Sequence, residues 1–213
     1  MPACNIMGPR LLSYRNSTIG YYRFGSGPKP AFCFHGYGED ATMFGFLSKY
    51  AGNQYTFYSI DLPIHGKTDW QEGLVFTNKD LLQILEQILH KENFKSQTIN
   101  SKLVLLGFSL GGRAALCLCQ SMPEKIGKLV LLAPDGLKVN FWYWLAAQTW
   151  LGNKLFHFTM KHPGWFFGFL KMLNKLGLVN ASVFKFVNHY IGNVEARRSL
   201  YARWTTLRKL KPD

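Results

Sequence analysis

Acidic side chains are scarce in this chain. Its 213 residues include 25 Lys and Arg but only 12 Asp and Glu, a formal net charge of +13 at pH 7. The shortage is uneven: residues 1–136 hold 13 basic and 10 acidic side chains, whereas residues 137–213 hold 12 and 2. Such asymmetry is either a solvated basic face or the mark of an anionic partner. No nucleic-acid-binding motif accompanies it, so a nucleic acid is not the expected partner, and an anionic membrane surface or an anionic substrate fits better. Cysteine is also rare, with Cys4, Cys33, Cys117 and Cys119 in a spacing that fits no zinc site. Cys33 and the later pair fall in segments expected to be core, where a reduced thiol acts as a small hydrophobe. That usage suits a cytoplasmic protein.

Long apolar runs are missing too. Met1–Arg10 has no apolar stretch of the kind a signal peptide needs. Phe141–Leu151 is too short to span a bilayer, and Phe156–Val179 is interrupted by Lys161, Pro163, Lys171 and Lys175. There is no internal repeat, no low-complexity segment, no cofactor-binding fingerprint and no metal-ligand spacing. What remains is 47% hydrophobic and 17% charged, enough apolar material for a sizeable core and too much for a disordered chain. The length fits one domain, or one core with an inserted segment.

Strand and helix signals alternate through residue 136. Ser17–Phe24 predicts an early strand, Pro30–His35 a short buried one, and Glu39–Tyr50 a helix from the spacing of Met43, Phe44, Phe46 and Leu47. Tyr55–Ile60 predicts a further strand. Thr77–Leu89 has the clearest helical face, with Leu81, Leu82, Leu85, Ile88 and Leu89 on one side and Thr77 with Asp80 as a capping box. Leu103–Leu106 reads as a strand, Leu110–Ser121 as the helix after it, and Leu129–Ala133 as a last buried strand. Apolar strands separated by helices predict a doubly wound, mostly parallel α/β sheet covered on both faces. Beyond Pro134 the rhythm changes. Residues 137–213 are helical in pattern and crowded with aromatics, among them Phe141, Trp142, Trp144, Trp150, Trp165, Phe166, Phe167 and Phe169.

Two motifs carry chemistry. Gly107-Phe108-Ser109-Leu110-Gly111 directly follows the Leu103–Leu106 strand and directly precedes a helix, the context in which G-x-S-x-G presents a nucleophile. The glycines keep neighbouring Cβ atoms away from a tight turn, and the helix start offers N–H groups to an oxyanion. Ser109 is the candidate nucleophile, and the Leu110 N–H a candidate oxyanion-hole donor. His35-Gly36-Tyr37-Gly38 ends the Pro30–Phe34 strand, where the Tyr37 N–H is the candidate second donor.

With Asp61-Leu62-Pro63-Ile64-His65-Gly66 and Leu131-Leu132-Ala133-Pro134, these landmarks make the sequence resemble the α/β-hydrolase superfamily, in its cap-bearing branch of esterases, lipases and carbon–carbon bond hydrolases. The resemblance covers residues 10–136. It implies a core over 1–136 and a helical, basic cap over 137–213. Ile64 and Thr68 depart from the family's D-x-P-G-x-G-x-S loop, where Asp61 and His65 are expected to serve architecture, not chemistry. The family places its acid and then its histidine after the nucleophile. Asp135, just past the last strand, is the candidate acid, with a turn or cap residue as the alternative. Of the six histidines, His35 and His65 belong to the loops, His90 ends a helix, and His157, His162 and His189 lie in the cap. A base must reach Ser109 Oγ, and none of them is placed there by the sequence. The expectation is a chain lacking the fold's C-terminal strands, with an exposed apolar edge at Leu129–Ala133. The implied activity is serine-nucleophile hydrolysis of an ester, thioester or related hydrophobic acyl compound, without a cofactor. A non-catalytic binding module and an acyltransferase are the alternatives, and the oligomeric state is not encoded legibly.

Overall fold

A computed structural model describes residues 8–94, 102–137, 141–177 and 181–212, though a few side chains within the last two stretches are not described. Cys4 lies outside them. The described residues fall into two compact units, one of Met1–Lys138 with Lys209–Asp213 and the other of Val139–Arg208.

The first unit is built on a six-stranded sheet of order β1-β2-β4-β3-β5-β6. The strands are β1 (Arg10–Tyr14), β2 (Ser17–Phe24), β3 (Lys29–Phe34), β4 (Tyr55–Ile60), β5 (Leu103–Phe108) and β6 (Ile126–Leu132). β1, β2 and β4 pair antiparallel, whereas β4, β3, β5 and β6 pair parallel. β3, β4 and β5 carry near-continuous apolar runs because both of their faces are covered, whereas alternate residues of β6 stay exposed. The order reverses at β3: the chain leaves it for β4 on one side and later returns to β5 on the other. On one face Tyr22, Phe24, Ala31, Cys33, Phe57 and Val104 form a buried cluster with Ala41 and Phe44 from the β3–β4 connection. The other face takes α2 (Asn78–Lys91) and α3 (Leu110–Ser121). Strand alternation turns Phe32 and Tyr58 to that side, where their rings stack at 5.3 Å.

Helix α2 starts as its sequence dictates. The Thr77 side chain accepts from the Asp80 N–H while the Asp80 carboxylate accepts from the Thr77 N–H. Two differences from the sequence reading stand out. The helix expected over Glu39–Tyr50 is a 3-10 turn at Ala41–Phe44 and a separate short α1 at Leu47–Ala51. Asp40 caps the first piece through the Thr42 N–H, and the Gly45 N–H closes it on Thr42 O. Strand β1, which the sequence reading leaves out, pairs along β2 and buries Leu12 and Tyr14.

The second unit is helical throughout its described residues: α4 (Phe141–Tyr143), a π-helical turn (Trp144–Gln148), α5 (Trp150–Lys161), α6 (Gly164–Lys175), α7 (Ala181–Gly192) and α8 (Val194–Thr206), then a 3-10 turn at Leu207–Lys209. Thr149 Oγ1 caps α5 through the Gly152 N–H, and Asn193 Oδ1 caps α8 through the N–H groups of Glu195 and Ala196. The α5–α8 pairing is aromatic, with the Phe156 ring 5.5 Å from both Tyr201 and Trp204. No described helix is long and apolar enough to cross a membrane.

Candidate active site

Ser109 stands between the end of β5 and the start of α3, at φ 49° and ψ −114°. That backbone region is normally open only to glycine, and a β-carbon held there stores strain on the order of 1–3 kcal/mol. The surroundings over-determine it. The Ser109 N–H donates to Leu132 O at 3.0 Å, and the Ser109 carbonyl accepts from the N–H groups of Gly112 at 2.9 Å and Asp135 at 2.8 Å. The turn is therefore held from three directions by backbone alone.

The glycines have spatial reasons. A Cβ on Gly107 would lie 2.5 Å from Gly111 O, and one on Gly111 would lie 1.9 Å from Phe34 O. A Cβ on Gly112 would meet Pro134 at 2.6 Å. Helix α3 can thus sit directly against β3 and the segment after β6, which places its first residues beside the sheet's carboxyl edge. Leu110 is the first residue of that helix.

The β3 loop reaches the same place. A Cβ on Gly36 would lie 2.8 Å from the Phe108 ring and 3.3 Å from Ser109 Cβ. The two motifs, about 70 residues apart in sequence, therefore touch, and Tyr37 follows Gly36 directly.

Both loop histidines spend a ring nitrogen on their own loops. His35 is fully buried. The Leu62 N–H donates to its Nε2 at 3.0 Å, so that nitrogen carries no proton and Nδ1 donates to Gly36 O at 2.8 Å. His65 Nδ1 donates to Pro63 O at 2.9 Å, with its ring 5.0 Å from His35 and 6.0 Å from Tyr37. Asp61 is likewise architectural: its carboxylate accepts from the N–H groups of Ala41 at 2.7 Å and Lys67 at 2.8 Å. Burial raises its pKa above the ordinary carboxyl range, against the lowering effect of those hydrogen bonds. Ile64, at a position where the family pattern has glycine, keeps the left-handed backbone at φ 65°.

Asp135, the candidate acid, has an arginine partner. Its carboxylate is paired with Arg113 of α3, whose side chain is 5% exposed against 35% for Asp135. Arg113 is not among the residues expected from the sequence. Its signal is there, since an arginine among residues that up to Cys119 are otherwise Leu, Ala, Gly and Cys needs a carboxylate when it is buried. Among the other histidines, His157 stacks on Tyr201 at 4.8 Å and His162 lies 5.1 Å from Phe158. The His189 side chain lies outside the described residues. No group of three or more potential metal ligands is gathered among the described residues.

The chain resembles known proteins on these same residues. A model of the alpha/beta hydrolase fold matches residues 30–169, from β3 into α6. The uncharacterized hydrolase YugF of Bacillus subtilis (strain 168) is 28% identical over 104 residues, which cover 49% of this chain and 36% of that protein. The pimeloyl-[acyl-carrier protein] methyl ester esterase of Aeromonas salmonicida (strain A449) is 28% identical over 137 residues, covering 63% and 50%. The chain thus spans about half the length of these curated relatives, or less. Among solved structures, ALR0039 from Nostoc sp PCC 7120 superposes with a TM-score of 0.58 at 15% identity, over 94% of this chain and 72% of that one. The thioesterase domain from the curacin biosynthetic pathway gives 0.52 at 23%, over 64% and 48%. With the elbow, the glycine loop and the reversed strand order in place, the chain belongs to the α/β-hydrolase family.

Proposed function

We propose that Ser109 is the nucleophile of a hydrolase that cleaves esters or thioesters of a hydrophobic acyl compound. One observation carries the reading. A serine occupies a glycine-only backbone conformation at the end of β5, in contact with the Gly36–Tyr37 loop. A fold that needed only a turn there would place glycine at 109; the strain makes sense if the hydroxyl is wanted. In this reading Ser109 Oγ attacks the acyl carbonyl carbon, and the N–H groups of Tyr37 and Leu110 hold the oxygen as it becomes negative. The alcohol or thiol leaves, and water releases the acid from the acyl-serine. The base that takes the Ser109 proton is not His35 or His65, whose ring hydrogen bonds serve their own loops. Asp135 is read as holding Arg113 and the elbow rather than orienting an imidazole. The substrate class is supported by the names of the relatives, a methyl ester esterase and a thioesterase domain, both of which denote attack at an acyl carbonyl.

The test is covalent labelling of the protein, as its gene expresses it, by a fluorophosphonate probe. Wild type is expected to label and Ser109→Ala to lose all labelling. Labelling that survives in Ser109→Ala, or none in the wild type, overturns the assignment.

A further inference from the structure

Helices α5 and α6 carry their apolar residues on the wrong side for a solvated unit. Each already buries one face, at Thr159 and Met160 on α5 and Leu170 on α6. Yet α5 also presents Leu151, Leu155 and Phe158 outward, and α6 presents Trp165, Phe169 and Met172. These six side chains are between 44% and 71% exposed. Their spacing is i, i+4, i+7 on both helices, so each set forms a continuous outer stripe instead of scattered surface residues. Apolar surface at this density calls for a cover.

Charge tells which cover. Lys154 and Lys161 fall beside the α5 stripe, and Lys171 and Lys175 beside that of α6, all four exposed. Lys154 Nζ lies 3.8 Å from the centre of the Trp150 ring, the arrangement of an aromatic and a cation at one level. From residue 137 to residue 194 there is no Asp or Glu, and Glu195 is the first. A second copy of this unit would bring like charges together across the stripes. A surface that is apolar below and negatively charged above satisfies both features at once. We infer that the outward faces of α5 and α6 dock on a bilayer containing anionic lipid, with the apolar stripes in the acyl boundary and the lysines at the headgroup phosphates. A concave site of about 310 Å³ between α5 and α8 adds Arg197 and Arg198 next to Lys161. This inference stands apart from the hydrolase reading and does not need Ser109.

Flotation of the full chain with lipid vesicles tests it. Vesicles of phosphatidylcholine with roughly 30 mol% phosphatidylglycerol are expected to carry the protein, and vesicles of phosphatidylcholine alone to carry at least about tenfold less. Tryptophan emission is expected to shift to the blue on binding, and binding to fall away at about 1 M salt, where the Debye length is short. Lys154→Glu with Lys171→Glu is expected to weaken binding by roughly tenfold or more. Phe158→Ser with Phe169→Ser is expected to weaken it by a similar factor, with helical circular dichroism unchanged. Ser109→Ala is expected to bind like wild type. Three results each overturn the inference: no binding to the anionic vesicles, binding indifferent to the two phenylalanines, or self-association in sedimentation that the two serine replacements abolish. Should a double variant unfold, the wild-type salt dependence and emission shift decide.

Discussion

At Ser109 the side chain and the backbone want different things. The hydroxyl is needed for the proposed chemistry, while φ 49° and ψ −114° suit glycine. Ser109→Gly is therefore expected to raise stability by about 1 kcal/mol while removing the nucleophile, a trade visible as a higher urea midpoint with no probe labelling. A lower midpoint would show that the serine side chain itself holds the turn. Gly111 has the opposite character. A Cβ there falls 1.9 Å from the Phe34 carbonyl, a backbone atom that cannot swing aside. Gly111→Ala is expected to cost more than about 3 kcal/mol, read as loss of folded protein or a large drop in the denaturant midpoint. An alanine variant within about 0.5 kcal/mol of wild type would mean that α3 can lift off β3 without loss.

Among the elements, α2 is fastened at both ends by buried carboxylates. At its start Asp80 closes the capping box and accepts from Tyr14 Oη at 2.8 Å. At its end Glu92, whose side chain is 4% exposed, accepts from Arg10 Nη1 at 2.7 Å and Tyr21 Oη at 2.6 Å, with Arg23 nearby at 3.7 Å. Burial alone would raise the Glu92 pKa, but the hydrogen bonds from Tyr21 and Arg10 and the two arginine charges outweigh it, and the net shift is downward. Asp80 is shifted the same way: burial again opposes, and the hydrogen bonds from Thr77 and Tyr14 prevail. A carboxyl whose pKa falls on folding is protonated more readily in the unfolded chain. The stability it contributes is full above the ordinary carboxyl range and is lost as pH falls through the lowered folded value. Denaturation measured from neutral pH downward is thus expected to show falling stability in the acid range, with a shallower fall in Glu92→Gln. At neutral pH that variant is expected to lose about 1–3 kcal/mol. An unchanged acid profile would show that Glu92 does not fasten α2 to β1 and β2. At the other end, Thr77→Ala is expected to cost about 1 kcal/mol by the same measurement.

For the molecule as a whole, β6 is the most exposed part of the sheet. It ends the strand order among the described residues, with Val130 39% and Leu132 47% exposed. A long apolar edge invites pairing between chains, so the protein is expected to scatter light on warming, and Val130→Lys to suppress that scattering without lowering the unfolding midpoint. Equal scattering from both would place the sticky surface elsewhere. Much of this architecture was legible in the sequence, because β4 and α3 declare themselves by local apolar pattern and the elbow by its glycines. Strand β1 was not, since Arg10-Leu11-Leu12-Ser13-Tyr14 earns its place by pairing with β2 rather than by its own pattern. The bond from Leu62 to His35 was equally hidden, and of the Arg113–Asp135 pair only the arginine's need for a carboxylate showed, because both join residues that only the folded sheet brings together. The backbone grip on Ser109 has a further outcome, in the time order of synthesis. Two of its three hydrogen bonds reach Leu132 and Asp135, residues made more than twenty positions after the serine itself. A nascent chain that has released β5 and α3 from the ribosome holds the serine but not its shape. On the proposed function, the serine is shaped for attack only once β6 has arrived.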